Sequence, residues 1–228
     1  MEYNEKTLDY LKKSSSNKNE FYLFNKIPVM VLNPLPENVN VDNLLKLIKF
    51  KIPEHLFYEI DSIFVGQFQE LEQRKVKAAY LDGAIYVTNE QNSEKDIFDD
   101  IIHEVAHSLE EPYYLDIYGD DKLELEYLGK KQRLLDILRS NGYSIHYTMD
   151  TTIKYNKEFD EFLYFEIGFK KLESFTRGLF ISPYSVTSLS EYFSEGFENY
   201  FMKDRSYLNK ISPQLFKKVK FLSEPEMD

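Results

Sequence analysis

The chain has 228 residues, 43% of them apolar and so enough for a packed core, with a formal charge of -11 and no cysteine. That charge argues against the basic footprint that nucleic acid or an anionic membrane surface demands, so neither is expected as a partner. Without cysteine there is no disulfide framework and no thiolate ligand, which leaves histidine and carboxylate to hold any metal.

With 18 Tyr, 18 Phe and no Trp, aromatic packing is expected to dominate the interior. The opening "MEYNEKTLDYLKK" lacks the apolar run of a secretory signal, and no window approaches a membrane span. A soluble chain is expected, whether cytoplasmic, virion-associated or exported by a non-classical route. Phe21 to Asn33 and Phe57 to Gly66 have the β-branched and aromatic content of strands, with a helix at "VDNLLKLIKF" between them. In "VKAAYLDGAIYVTN" the Asp82-Gly83 pair separates two alternating runs, which predicts a hairpin.

Ser93 followed by Asp96 can cap a helix, along which Ile97, Ile101, Val105 and Leu109 recur at helical spacing. Four further helices are expected at "LELEYLGKKQRLLDILRSNG", ending at Gly142, at "NKEFDEFLYFEIGFKKLESF", at "SLSEYFSEGFENYF", and at "SPQLFKKVKFL" with Pro213 near its start. Strands early and helices late predict an α+β fold, a small mixed sheet followed by a mainly helical lobe. No stretch has the composition of a linker, so one domain spanning 1-228 is expected.

Two of the four histidines fall in "HEVAH" on the capped helix. Residues four apart project from one helix face, so His103 and His107 can offer two imidazoles to one ion, and imidazole nitrogen suits Zn²⁺. Glu104 is turned away from that line by one residue, outside the ligand set but able to take a proton from a water activated there. The plainer account is two ordinary histidines sharing a helix face.

A catalytic zinc needs a third protein ligand. The candidates are His55, His146 and the carboxylates. "SLSEYFSEGFENYF" places Glu191 and Glu195 at i, i+4 with Glu198 at i+7, while Phe193, Phe197, Tyr200 and Phe201 cover the other sides. A helix this apolar is expected to be buried, and buried carboxylates need partners. For Glu191 the competing account is a capping box with Ser188; for Glu195 and Glu198 it is a solvated stripe.

"HEVAHSLE" followed by "SPYSVTSLSEYFSEGF" resembles the catalytic domain of anthrax lethal factor and the clostridial Pro-Pro endopeptidases, zinc metallopeptidases of the gluzincin type. The resemblance implies a zincin-like lobe holding one Zn²⁺ on His103, His107 and Glu191, with Glu104 as general base and Glu195 supporting a histidine from behind. It also picks out Tyr184 as a hydrogen-bond donor to the oxyanion. In that family the strand before the HExxH helix pairs with extended peptide, a place held here by Ala84, Ile85, Tyr86 and Val87. The second arm of a hairpin is the plainer account of those four residues.

Two departures stand out. Glu191 lies 84 residues beyond His107 (191 minus 107), farther than in the family, so residues about 115-178 look like a helical insertion able to dock a protein partner. Val105-Ala106 stands where the family has Phe-Gly, away from the metal. Residues about 1-55 form an N-terminal extension that resembles nothing familiar. The function expected is a zinc-dependent endopeptidase acting on a peptide or protein substrate. The alternative is a catalytically silent member of the fold, serving as a binding or structural component of a phage particle or toxin complex.

Overall fold

The computed structural model describes residues 20–145 and 152–224. These form an α+β protein, as the order of apolar patterns predicts, with five strands in one mixed sheet and ten α-helices among the described residues. They divide into two compact units. The first holds the described residues up to Phe50 together with Phe57–Ile101, and the second holds Lys51–Leu56 and everything described from Ile102 onward.

In the first unit, β1 (Glu20–Leu23) and β2 (Ile27–Val31) form an antiparallel hairpin. The apolar stretch expected as one strand is therefore two, because Phe24 and Asn25 adopt left-handed backbone (φ 51 and 58) and reverse the chain. After α1 (Val41–Lys51), which buries Val41, Leu44, Leu45 and Ile48 at helical spacing, β3 (Ser62–Gly66) runs parallel to β2. Only the second half of the Phe57–Gly66 segment is strand; a single 3-10 turn, Glu54–Phe57, precedes it. Next come α2 (Gln69–Arg74), β4 (Ala78–Leu81) and β5 (Ala84–Thr88). The Asp82-Gly83 turn is as expected, with both residues at positive φ (47 and 81).

The strand order is β1-β2-β3-β5-β4. Residues 20 to 50, expected as an extension, thus supply two strands and a helix of this unit.

Helix α3 (Glu94–Glu110) starts as its sequence predicts, with Ser93 Oγ accepting from the Asp96 amide at 3.3 Å. Ile97, Ile101, Val105 and Leu109 are fully buried. Beyond it lie α4 (Tyr114–Tyr118), α5 (Lys122–Ser140), α6 (Lys157–Glu161), a π-helical turn (Phe162–Ile167) and α7 (Phe169–Thr176). The single helix expected over 156 to 175 is broken at Gly168 (φ 77), a conformation that ends a right-handed helix.

A 3-10 turn (Tyr184–Val186) leads into α8 (Leu189–Met202), followed by α9 (Arg205–Ile211) and α10 (Pro213–Ser223) with Pro213 in its first turn. Among the described residues no helix is long and apolar enough to cross a membrane.

The core of the second unit is aromatic. Tyr127 of α5 and Tyr192 of α8 pack 5.6 Å apart, and Phe180 closes edge-on against Tyr192 at 5.8 Å. Pairs of this kind contribute about 0.5–1.5 kcal/mol beyond their burial. Their polar ends are used as well. Tyr127 Oη donates to the Val186 carbonyl at 2.7 Å, and Tyr192 Oη donates to Glu126 Oε1 at 2.9 Å. The other face of that carboxylate accepts from the Gln214 amide at 2.8 Å, at the start of α10. Helix α5, expected as inserted, is therefore part of this unit's interior, with Leu123, Leu134, Leu135 and Leu138 fully buried.

Candidate metal centre

Helices α3 and α8 supply the site, and all its groups belong to the second unit. The i, i+4 spacing places the His103 and His107 rings 4.9 Å apart on one face of α3, with their Nε2 atoms 3.2 Å from each other. Glu191, in the first turn of α8, brings Oε2 to 3.1 Å from His103 Nε2 and 3.8 Å from His107 Nε2. Three donor atoms, two from α3 and one from the sequence-distant α8, converge on one point, as candidate ligands of a metal ion do.

Local structure aims Glu191. Its amide donates to Ser188 Oγ at 3.0 Å, so the backbone half of the expected capping box is formed. The carboxylate, however, points at His103 and at Tyr184, whose hydroxyl donates to Oε1 at 3.1 Å. The start of α8 is held further by the Leu189 amide donating to the Ile153 carbonyl at 2.8 Å.

The electrostatics follow from burial and partners. Burial alone lowers the His103 pKa, but the hydrogen bond to Glu191 and the charges of Glu191 and Glu104 prevail and raise it. For His107 burial is likewise overruled, by hydrogen bonds to Glu110 and Glu191, and its pKa is raised to about 10. Glu191 resists burial and is held well below the ordinary carboxylate range by the two imidazoles. Burial and then the Glu191 charge push the Tyr184 phenol far up, so it stays protonated and able to donate. Glu104 is 9% exposed, a buried carboxylate one residue from a ligand candidate.

The supporting residues include several that sequence patterns passed over. His107 Nδ1 faces Glu110 Oε1 at 2.7 Å, and Ser190 Oγ donates to the same oxygen at 2.6 Å. Tyr118 Oη donates to Glu110 Oε2 at 2.7 Å. Glu110 lies three residues beyond His107 on the same helix, a spacing that could have flagged it. Ser194 Oγ lies 3.2 Å from His103 Nε2. Behind His103, Glu198 Oε2 is 4.0 Å from Nδ1, and Glu195 joins His103 and Glu198 in a second close group.

Of the other third-ligand candidates, His55 is committed elsewhere, with Nε2 2.9 Å from the Leu222 carbonyl. His146 lies outside the described residues.

One expectation is corrected. Ala84, Ile85, Tyr86 and Val87 do not form an open edge for an extended peptide. Strand β5 lies inside the sheet, with Ile85 opposite both Ile63 of β3 and Tyr80 of β4. Both backbone edges of β5 are thus occupied, because the hairpin folds β4 onto one side while β3 pairs along the other.

No family model, curated protein or solved structure matches this chain.

Proposed function

We propose that this protein is a zinc-dependent endopeptidase, akin to the lethal-factor-like gluzincins its two motif segments resemble. The observation that carries the reading is the mutual spacing of His103 Nε2, His107 Nε2 and Glu191 Oε2, at 3.1, 3.2 and 3.8 Å. Tetrahedral bonds of about 2.0–2.1 Å to zinc place neighbouring ligand atoms roughly 3.3–3.4 Å apart. Two imidazoles and one carboxylate are also the donor set of a catalytic zinc that keeps one position open, and they favour zinc over the harder magnesium or calcium.

Zinc held there supplies a Lewis acid that acidifies water and polarises a peptide carbonyl. The chain's residues supply the rest. Glu104, buried beside both histidines, takes a proton from the attacking water and returns it to the departing amine. Tyr184, a phenol that stays protonated, donates a hydrogen bond to the carbonyl oxygen as it gains charge. Releasing its present bond to Glu191 frees the donor for this role. A scaffold without chemistry has no need of a buried Glu104, and this favours the enzyme over a silent binding component.

Elemental analysis of the purified full chain tests the reading. One zinc per chain is expected, with loss of metal in Glu191→Ala; a metal-free wild type, or undiminished zinc in Glu191→Ala, would refute the ligand set.

A further inference from the structure

The Glu110 carboxylate is engaged by three side chains from three helices. Oε1 meets His107 Nδ1 at 2.7 Å and Ser190 Oγ at 2.6 Å, and Oε2 accepts from Tyr118 Oη at 2.7 Å. His107 comes from α3, Ser190 from α8 next to Glu191, and Tyr118 from α4. The Glu110 side chain is 20% exposed, so these contacts are largely shielded from water.

A neutral imidazole carries one N–H, and the ring nitrogen that faces a strong acceptor keeps it. An acceptor at Nδ1 therefore leaves Nε2 with its lone pair, and Nε2 is the His107 atom aimed at His103 and Glu191. A carboxylate fixed on two sides by hydroxyl donors is a rigid acceptor, so it sets ring orientation as well as tautomer. Through Ser190 the same group holds the first turn of α8, where Glu191 begins.

We propose that Glu110 is the positioning residue of the metal centre: it holds His107 as the Nδ1–H tautomer and keeps α3 and α8 in ligand register. It touches the back of the imidazole and no reacting atom. The inference rests on the zinc reading above, and it assigns to Tyr118, at the head of the helices expected as an insertion, the task of bracing that carboxylate.

The test uses full-length protein and zinc itself, with affinity measured by competition against a chromophoric chelator. Histidine tautomers are read by nitrogen-15 correlation spectra. In the zinc-free protein, brought to a pH at which His107 is neutral, the wild type is expected to carry the ring proton on Nδ1. Glu110→Ala is expected to weaken zinc binding by roughly 10–100-fold and to lose that tautomer signature. Glu110→Gln, which keeps an acceptor oxygen at the same reach, is expected to recover most of the affinity. Ser190→Ala removes a hydroxyl 3.2 Å from His107 Nδ1 but, like Tyr118→Phe, leaves the shorter Glu110 contact to His107 in place, and both are expected to cost less than Glu110→Ala.

Should the alanine variant not fold, Glu110→Leu fills the volume without an acceptor and is expected to show the same loss. Undiminished affinity in a folded Glu110→Ala or Glu110→Leu, or equal losses in Ser190→Ala, would overturn the positioning role while leaving the zinc reading intact. A wild type that binds no zinc would overturn both.

Discussion

Helix α8 carries Glu191, and its packing against α10 depends on one missing side chain. A Cβ placed on Gly196 would lie 2.2 Å from Leu215 Cδ2 and 2.5 Å from its Cγ, closer than atoms tolerate. Leu215 is fully buried and its amide donates to Glu126 Oε1 at 3.1 Å, so neither its side chain nor its backbone has an easy retreat. Gly196→Ala therefore overpacks this contact. A helix interior favours Ala over Gly by about 1 kcal/mol, which offsets part of an overpacking cost of about 1–3 kcal/mol. The expected result is a net loss of up to about 2 kcal/mol, or a fall in Tm of up to roughly 8 °C for a chain of this size.

Thermal unfolding followed by circular dichroism measures it, with Leu215→Ala and the double variant completing a cycle. Leu215→Ala alone should cost about 2–5 kcal/mol, and the double variant should cost clearly less than the two added together, since the new methyl fills part of the cavity. A stabilised Gly196→Ala, or strict additivity, would refute the close approach of α8 and α10.

Two other outcomes follow from charge. Because both histidines hold protons more tightly than free imidazole, His107 up to about 10, zinc uptake at pH 7 should release at least one proton. Affinity should then rise about tenfold per pH unit for each proton displaced, and calorimetry in two buffers of different ionisation enthalpy should give different apparent heats; identical heats would contradict the ligand assignment. Lys130 is 7% exposed, donates to Ser212 Oγ at 2.6 Å, and is lowered by burial to about 8. Its contribution to stability is present above about 10.5, the unfolded value, and is lost as pH falls toward 8. Wild type should gain about 1–3 kcal/mol over Lys130→Met between pH 8 and pH 10, as read by chemical denaturation, and parallel pH profiles would sink this account.

The features legible in the sequence are those with a local cause. The HEVAH pair was visible because helical spacing alone puts both rings on one face, and the cap at Ser93 announced the helix. Glu191 stands out as one of three carboxylates on a helix whose other sides are aromatic. What escaped depends on groups distant in sequence. Glu110 looks like the solvated end of a helix until Ser190, 80 residues on, comes to rest against it. The β1–β2 turn was hidden because Phe24 and Asn25 reverse the chain inside an unbroken apolar run. The hairpin at Asp82-Gly83 was plain, but the parallel pairing of β5 with β3, which closes the edge expected to be open, has no local signature. The break at Gly168 follows a π-helical turn, whose wider repeat a 3.6-residue pattern does not announce.

The central claim is that Glu104 moves protons for peptide hydrolysis at a zinc held by His103, His107 and Glu191. Digestion of a peptide library with mass-spectrometric readout, wild type beside Glu104→Gln at matched zinc content, tests it most directly. The account predicts discrete cleavage sites for the wild type and a rate lower by about 10²–10⁴-fold in the variant, which still binds zinc. Equal cleavage by both proteins, or none by the zinc-loaded wild type, would contradict it.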